Sequence, residues 1–211
     1  MLTSCMQAER ISLDASGGEG MLLGLISFGS SSEPRPNCTE CKIFITYSGK
    51  DGDFTSINFG GVTQLFSTGI TGADAFCAND NNNPYLIEND QNLKYTFKAM
   101  LVDGVNRRVF PPKNWVVFSN VTYHYSDSSG NPNTVTSNDS RWFDYFSWIG
   151  SDDVWTGFNQ NGTAGSMAET CNYWAHANSQ NPGDPYAYAY NGSFGPTHGC
   201  DGTYKLLCVE Q

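Results

Sequence analysis

The sequence predicts an α+β domain that is rich in loops, with a mixed antiparallel sheet, one or two short helices and structural disulfides. Only 15% of the 211 residues are charged, so surface polarity comes largely from Asn, Ser, Thr and Gly, which favour turns. The closing run, residues 204–210, is short, apolar and preceded by a turn signal, as is typical of a strand buried on both faces. Seven cysteines in such a chain indicate an oxidising compartment.

The net charge of −10, with only 11 Lys and Arg residues, argues against nucleic acid as a partner, because phosphate binding requires clustered basic residues. Acidity of this kind keeps a protein soluble. It also suits two narrower interpretations, namely calcium ligation and attraction to a basic host surface.

The chain divides into a lipoprotein-type N-terminus with a flexible tether, residues 1–37, and a folded domain, residues 38–211. Residues 2–5 (Leu-Thr-Ser-Cys) are similar to the pattern at which bacterial lipoproteins are cleaved and lipidated. Cys5 is therefore predicted to carry a lipid that anchors the protein to a membrane. This assignment also explains the odd number of cysteines.

The tether contains two spacers, residues 16–20 and 30–36, whose composition makes them flexible or extended. Between them, the apolar residues 21–28 are too few to span a bilayer, which takes about 20 residues. They lie in the membrane interface or pack on the domain, and the sequence does not choose between these positions.

Within the domain, residues 42–47 are predicted as the first strand from their β-branched and aromatic content. A helix is predicted to begin at a Thr71 cap, with Asp74 in the capping-box position. Other segments are assigned by composition and period: a turn-rich link at 51–61, strands at 93–102 and 115–118, a long exposed loop at 123–140, and core aromatics within 142–158.

The cysteines other than Cys5 form a group of six, which can pair in many ways. Cys38 and Cys41 precede a strand rather than a helix, so a local disulfide is favoured over a redox motif, and no second ligand pair supports zinc. Cys208, in the closing strand, and Cys77, on the predicted helix, suggest a bridge between the two ends of the domain.

Several segments carry a resemblance to a known family. Residues 155–158 (Trp-Thr-Gly-Phe) resemble the Trp-Ile-Gly-Leu strand of C-type lectin-like domains, and residues 208–210 resemble their terminal Cys-x-Glu. The following segments resemble the endostatin-like outer-membrane lipoproteins of spirochaetes, the leptospiral family: residues 42–46, 72–77, 99–108, 155–157, 171–174 and 206–211. Together they extend over the chain from about Cys41 to Gln211.

The resemblance implies a C-type lectin-like, endostatin-like fold with a long disulfide, Cys77–Cys208, and a short one, Cys171–Cys200. It implies a lipid-anchored protein of the outer membrane, exposed at the cell surface. It also implies host partners such as laminin, fibronectin, plasminogen and complement factor H. The calcium-ligating motifs of sugar-binding C-type lectins are absent, which puts calcium-dependent sugar binding of that type in doubt.

The leading functional hypothesis is a non-catalytic adhesin that binds host extracellular-matrix, plasma or complement proteins. Its expected site is the face that carries the loop 123–140 and residues 180–191, because recognition usually lies on loops of a rigid scaffold. Tyrosines give contact area at small entropic cost. In residues 186–190 every second residue is a tyrosine, so that one face of a strand can present all three. The predicted ligand-binding residues are Asn181, Asp184, Tyr186, Tyr188 and Tyr190, although core or edge packing explains the tyrosines equally well.

Two other classes remain as alternatives. A calcium- or carbohydrate-binding lectin would use the oxygen ligands that calcium prefers, offered here by Asp80, Asp127, Asp152, Asp153 and Asp184, but no spacing matches a calcium loop, so neither a cofactor nor a metal site is predicted. An enzyme is disfavoured, because the common hydrolase, metalloprotease and phosphate-binding motifs are missing. Of the three histidines, His124, His176 and His198, the last two lie near Cys171 and Cys200 in sequence and could meet, but solvent-facing positions in loops are expected for them.

Overall fold

The computed structural model describes residues 36–87, 93–109, 112–127, 129–143, 153–158, 166–177, 186–190 and 194–211. Cys5 and nearly all of the predicted tether lie outside the described residues, as do Asn181 and Asp184. Among the helices described, none is long and apolar enough to cross a membrane.

The described part of the chain is an α+β structure with short elements. Two α-helices are present, α1 (Gly69–Asn79) and α2 (Pro84–Ile87), together with 3₁₀ turns at Leu93–Thr96 and Met167–Glu169. The strands are β1 (Cys41–Ile45), β2 (Ser56–Phe59), β3 (Val62–Leu65), β4 (Phe97–Ala99), β5 (Thr122–Ser126), β6 (Pro132–Thr136), β7 (Val154–Trp155), β8 (Tyr186–Tyr190), β9 (Phe194–Gly199) and β10 (Leu207–Glu210).

The main sheet has five strands in the order β4-β10-β1-β5-β6. Strand β1 pairs antiparallel with β10 and parallel with β5, while the remaining pairs are antiparallel, so the sheet is mixed. A hairpin of β2 and β3 and a three-stranded sheet, β7-β8-β9, complete the strands described.

Strand β10 is buried along its whole length because both faces of the main sheet are covered. On one face Cys208 packs with Phe44 and residues of α1, and on the other Leu207 and Val209 pack with Ile43. A strand covered on both faces has no polar side to alternate with. The apolar run at the end of the sequence therefore predicted a doubly covered strand correctly, although the strand begins at Leu207 rather than at Tyr204.

Helix α1 begins earlier than the sequence indicated. Thr68 is the cap, and it forms a capping box with Thr71, whose hydroxyl bonds back to the Thr68 N–H. Asp74 has a different role, because it accepts hydrogen bonds from the Ala99 N–H and the Arg107 guanidinium. The predicted cap at Thr71 was wrong by three positions.

Four segment predictions also differ from the structure. The strand predicted at 93–102 is a 3₁₀ turn followed by the short β4, because β10 pairs with only three residues there. Residues 115–118 are largely buried but belong to no strand. The predicted link 51–61 contains β2, and the predicted loop 123–140 contains the β5–β6 hairpin.

Three disulfides connect the domain. They are Cys38–Cys41, Cys77–Cys208 and Cys171–Cys200, the local pair favoured by its sequence context and the two pairs implied by the resemblance. The second joins α1 to β10 across 131 positions of the chain. It therefore ties the early helix to the closing strand through the core.

Asp80 closes the C-terminus of α1 and has an unusual environment for a carboxylate. It is only 6% exposed, and it accepts hydrogen bonds from the N–H groups of Tyr47 and Asn82 at 2.8 and 2.9 Å. Burial raises the pKa of Asp80 above 3.8, although the backbone donors oppose the rise. The fold therefore favours the protonated form more than the unfolded chain does.

This raised pKa predicts an unusual pH dependence of stability. The contribution of Asp80 to the free energy of unfolding is fully present below pH 3.8 and is lost as the pH rises through the folded-state pKa. Urea unfolding from about pH 3 upwards should thus show the wild type losing stability relative to Asp80→Asn as the pH rises through the folded-state pKa of Asp80. Asp127→Asn is the matched control. Because hydrogen bonds lower the pKa of Asp127, the wild type should gain stability relative to that variant over the same range, and equal slopes would contradict the assignment.

Candidate functional site

The predicted tyrosine site lies in the three-stranded sheet. The backbones of Tyr186, Tyr188 and Tyr190 belong to β8, which is the central strand between β7 and β9. Tyr190 pairs with Val154 of β7, and the register with β9 shifts between Tyr188 and Tyr190. The structure therefore places the three tyrosines on one strand, as the alternation predicted, but this strand is not an edge of the sheet.

A left-handed helical turn lies next to this sheet, at Cys171–Trp174. All four residues have positive φ angles, from 49° to 63°, and the turn is closed by hydrogen bonds from Trp174 N to Thr170 O and from Ala175 N to Cys171 O. For L-residues other than glycine such a conformation costs about 1–2 kcal/mol per residue. The surrounding structure must supply the compensating interactions.

Trp174 provides most of these interactions. Its side chain is completely buried, its indole N–H donates to Val102 O at 2.9 Å, and its carbonyl accepts from Phe54 N at 2.9 Å. Cys171 adds the disulfide to Cys200. The strained turn is therefore fixed at its first residue by a covalent bond and at its last by hydrogen bonds and core packing.

Two glycines allow the chain to approach this turn. A Cβ at Gly52 would lie 2.5 Å from the Cys171 Sγ, and one at Gly69 would lie 2.3 Å from the Trp174 carbonyl oxygen. Both distances are shorter than atoms tolerate, so a side chain at either position would displace the turn. Gly69 also explains why α1 starts against this turn.

Several aromatic side chains pack together where the three-stranded sheet lies beside the left-handed turn. Tyr204 packs edge-to-face on Trp155, with ring centroids 4.5 Å apart, and its hydroxyl lies 2.7 Å from His198 Nδ1. Burial, with smaller contributions from the charges of Asp153 and Asp201, raises the pKa of the Tyr204 hydroxyl. The phenol is thus held in its neutral form, as a donor or acceptor towards the imidazole.

The histidines of this region do not face solvent as predicted. The Nε2 atoms of His176 and His198 are both buried, and neither has a hydrogen-bond partner. His124, in contrast, is exposed on β5. Sequence proximity to Cys171 and Cys200 was the available signal that His176 and His198 lie in packed surroundings.

The aspartates considered for calcium have different roles where the structure describes them. The Asp80 carboxylate accepts backbone hydrogen bonds at the end of α1. The Asp127 carboxylate accepts hydrogen bonds from the N–H groups of Ser129 and Asn131 in the β5–β6 turn. Asp152 and Asp184 lie outside the described residues. In the described part of the chain no group of three or more His, Cys, Asp or Glu side chains is arranged to hold a metal ion.

The other predicted recognition segment contains a hairpin with exposed polar side chains. Thr122 pairs with Thr136, and His124 pairs with Thr134, across the β5–β6 hairpin. These four residues are exposed and share one face of the hairpin, since paired residues point to the same side. The described part of segment 123–140 thus carries a paired hairpin with exposed hydroxyl groups rather than one long loop.

The β2–β3 hairpin was not predicted from the sequence. Its turn is Gly60–Gly61, with φ angles of 59° and 90°, and Phe59 pairs directly with Val62. These angles fit a type I′ turn, which favours two glycines. The Gly-Gly pair between two short β-prone runs was the signal that would have found it.

One comparison with known proteins gives a match. Residues 60–191 match the family model described as "Protein of unknown function (DUF1554)". The matched part runs from the β2–β3 turn to just beyond β8 and covers more than half of the 211 residues. No curated protein matches the chain. The chain belongs to the DUF1554 family.

Proposed function

We propose that this protein is a surface-exposed, non-catalytic binding module with a C-type lectin-like, endostatin-like fold, anchored to the outer membrane through a lipid on Cys5. The expected ligands are host extracellular-matrix, plasma or complement proteins, with laminin, fibronectin, plasminogen and factor H as the first to test. Three disulfides support an extracellular position.

The observation that carries the proposal is the construction of the β7-β8-β9 sheet. Its central strand has the sequence Tyr-Ala-Tyr-Ala-Tyr, and the Cys171–Cys200 disulfide ties the left-handed turn to the end of β9. Rigid tyrosine-rich surfaces bind proteins well, because little side-chain entropy is lost on contact. The fixed turn and the disulfide supply the rigidity.

Binding by the full chain to each immobilised protein tests this proposal. The variant Tyr186→Ala/Tyr188→Ala/Tyr190→Ala is expected to weaken binding at least about tenfold, a loss of about 1.4 kcal/mol. The matched control is Tyr47→Ala/Tyr95→Ala, which removes two exposed tyrosines outside both predicted recognition segments and should leave affinity unchanged.

Three outcomes would count against the proposal. They are an absence of binding to all four proteins, equal binding by the tyrosine variant, and a larger loss in the control variant. Each variant must first show the circular dichroism of the wild type. Repeating the measurement with calcium and with a chelator distinguishes the alternative lectin hypothesis, which requires binding to depend on calcium.

A further inference from the structure

Strand β3 has an unprotected outer edge. Its four residues are all exposed, with Val62 at 64% and Leu65 at 82%. Within the described part of the chain it pairs only with β2. Proteins normally protect such an edge with a lysine, a proline or a bulge, and β3 (Val-Thr-Gln-Leu) contains none of these.

The hairpin register shows which backbone groups face outward. Phe66 N donates to Thr55 O, so the pair Thr55–Phe66 is hydrogen-bonded, and the next pair, Ser56–Leu65, is not. By the same alternation, Thr63 also lies in a non-hydrogen-bonded pair. The N–H and C=O groups of Thr63 and Leu65 therefore point away from β2 and are available to another strand.

The distribution of charge indicates which partner supplies the strand that pairs with β3. Residues 54–73 contain no Asp, Glu, Lys or Arg, although the chain as a whole carries a net charge of −10. Two copies of so acidic a chain repel each other over most of their surface. The neutral hairpin is where two copies can meet with the least repulsion.

We propose that β3 is a self-association edge, at which a second copy of this chain adds its own β3 in antiparallel orientation. With Gln64 on the two-fold axis, Thr63 of each copy pairs with Leu65 of the other, which uses every outward-facing backbone group of β3. Val62 then lies opposite Phe66 of the second copy, so that exposed apolar surface becomes covered. The two hairpins form one four-stranded sheet, independently of any host ligand.

Sedimentation velocity of the full chain over a range of concentrations tests this arrangement. The wild type is expected to form dimers reversibly. Leu65→Pro removes an N–H that β2 does not use, so the hairpin remains while each copy loses a bond to the other. The dissociation constant should rise at least about tenfold, which corresponds to about 1.4 kcal/mol.

A charge-swap pair gives a second test that does not depend on proline. Gln64→Glu and Gln64→Lys should each weaken self-association, because like charges meet at the axis. An equimolar mixture should restore it, with a heterodimer about tenfold tighter than either homodimer. The matched control is Thr134→Glu mixed with Thr134→Lys, on the exposed face of β6, where mixing should have no effect. A wild type that stays monomeric, or a Gln64 mixture that dimerises no more than its components, overturns the proposal.

Discussion

Replacing Cys77 and Cys208 together by alanine is expected to lower the free energy of unfolding by about 4–5 kcal/mol. The disulfide closes a loop of 131 positions, and restricting so long a loop removes much of the conformational entropy of the unfolded chain. Both cysteines are completely buried between α1 and β10, so the variant also loses core packing. Urea unfolding, with the midpoint and slope fitted together, measures the loss.

The local disulfide provides the control for this result. Cys38→Ala/Cys41→Ala opens a loop of only three positions, for which the same relation predicts about 2 kcal/mol or less. If the two double variants lose equal stability, then chain entropy does not account for the effect of Cys77–Cys208.

Arg107→Met is expected to destabilise the domain by about 2–4 kcal/mol. The Arg107 side chain is 2% exposed and bonds both carboxylate oxygens of Asp74 at 2.9 and 2.7 Å, as well as the carbonyls of Ala99 and Asn114. Its removal leaves the Asp74 carboxylate without its cation. Breaking a fully buried pair costs about 3–5 kcal/mol, and the expected loss is smaller here because Asp74 is 22% exposed.

A double-mutant cycle separates the ion pair from the other bonds of Arg107. Asp74→Asn keeps an oxygen for the Ala99 N–H but removes the charge. The double variant should therefore be more stable than the sum of the two single losses predicts, by about 1–3 kcal/mol. Strict additivity would show that Arg107 acts only through the two carbonyls.

Sequence patterns predicted the parts of this fold in which one physical requirement dominates. The closing strand required a continuous apolar run because it is covered on both faces, and this run is visible without any partner. Cys77 required a buried helical position, and the helix was found even though its cap was misplaced. Sequence patterns failed where hydrogen-bond pairing between strands decides the conformation. Residues 115–118 have strand-like composition and lie largely buried, but they pair with no strand in the described part of the chain.

The candidate site also has features that the sequence predicted and features that it did not. The alternation of Tyr186, Tyr188 and Tyr190 predicted one strand, whereas the central position of that strand depends on β7 and β9, which are distant in sequence. No sequence signal indicated the left-handed turn at Cys171–Trp174, because Tyr and Trp disfavour positive φ. Contacts with residues distant in sequence, Val102, Phe54 and Cys200, stabilise it.

The sequence by itself therefore determined the class of this protein: a loop-rich α+β domain, acidic, with a closing strand buried on both faces and enough cysteines for three bridges. These features follow from composition and from local apolar patterns. The tertiary structure alone decided the left-handed turn, the buried Asp74–Arg107 pair, the raised pKa of Asp80 and the open edge of β3. Each of these depends on which distant groups surround a residue, because burial and pairing set the energy of a charge, a strained backbone or an unpaired strand.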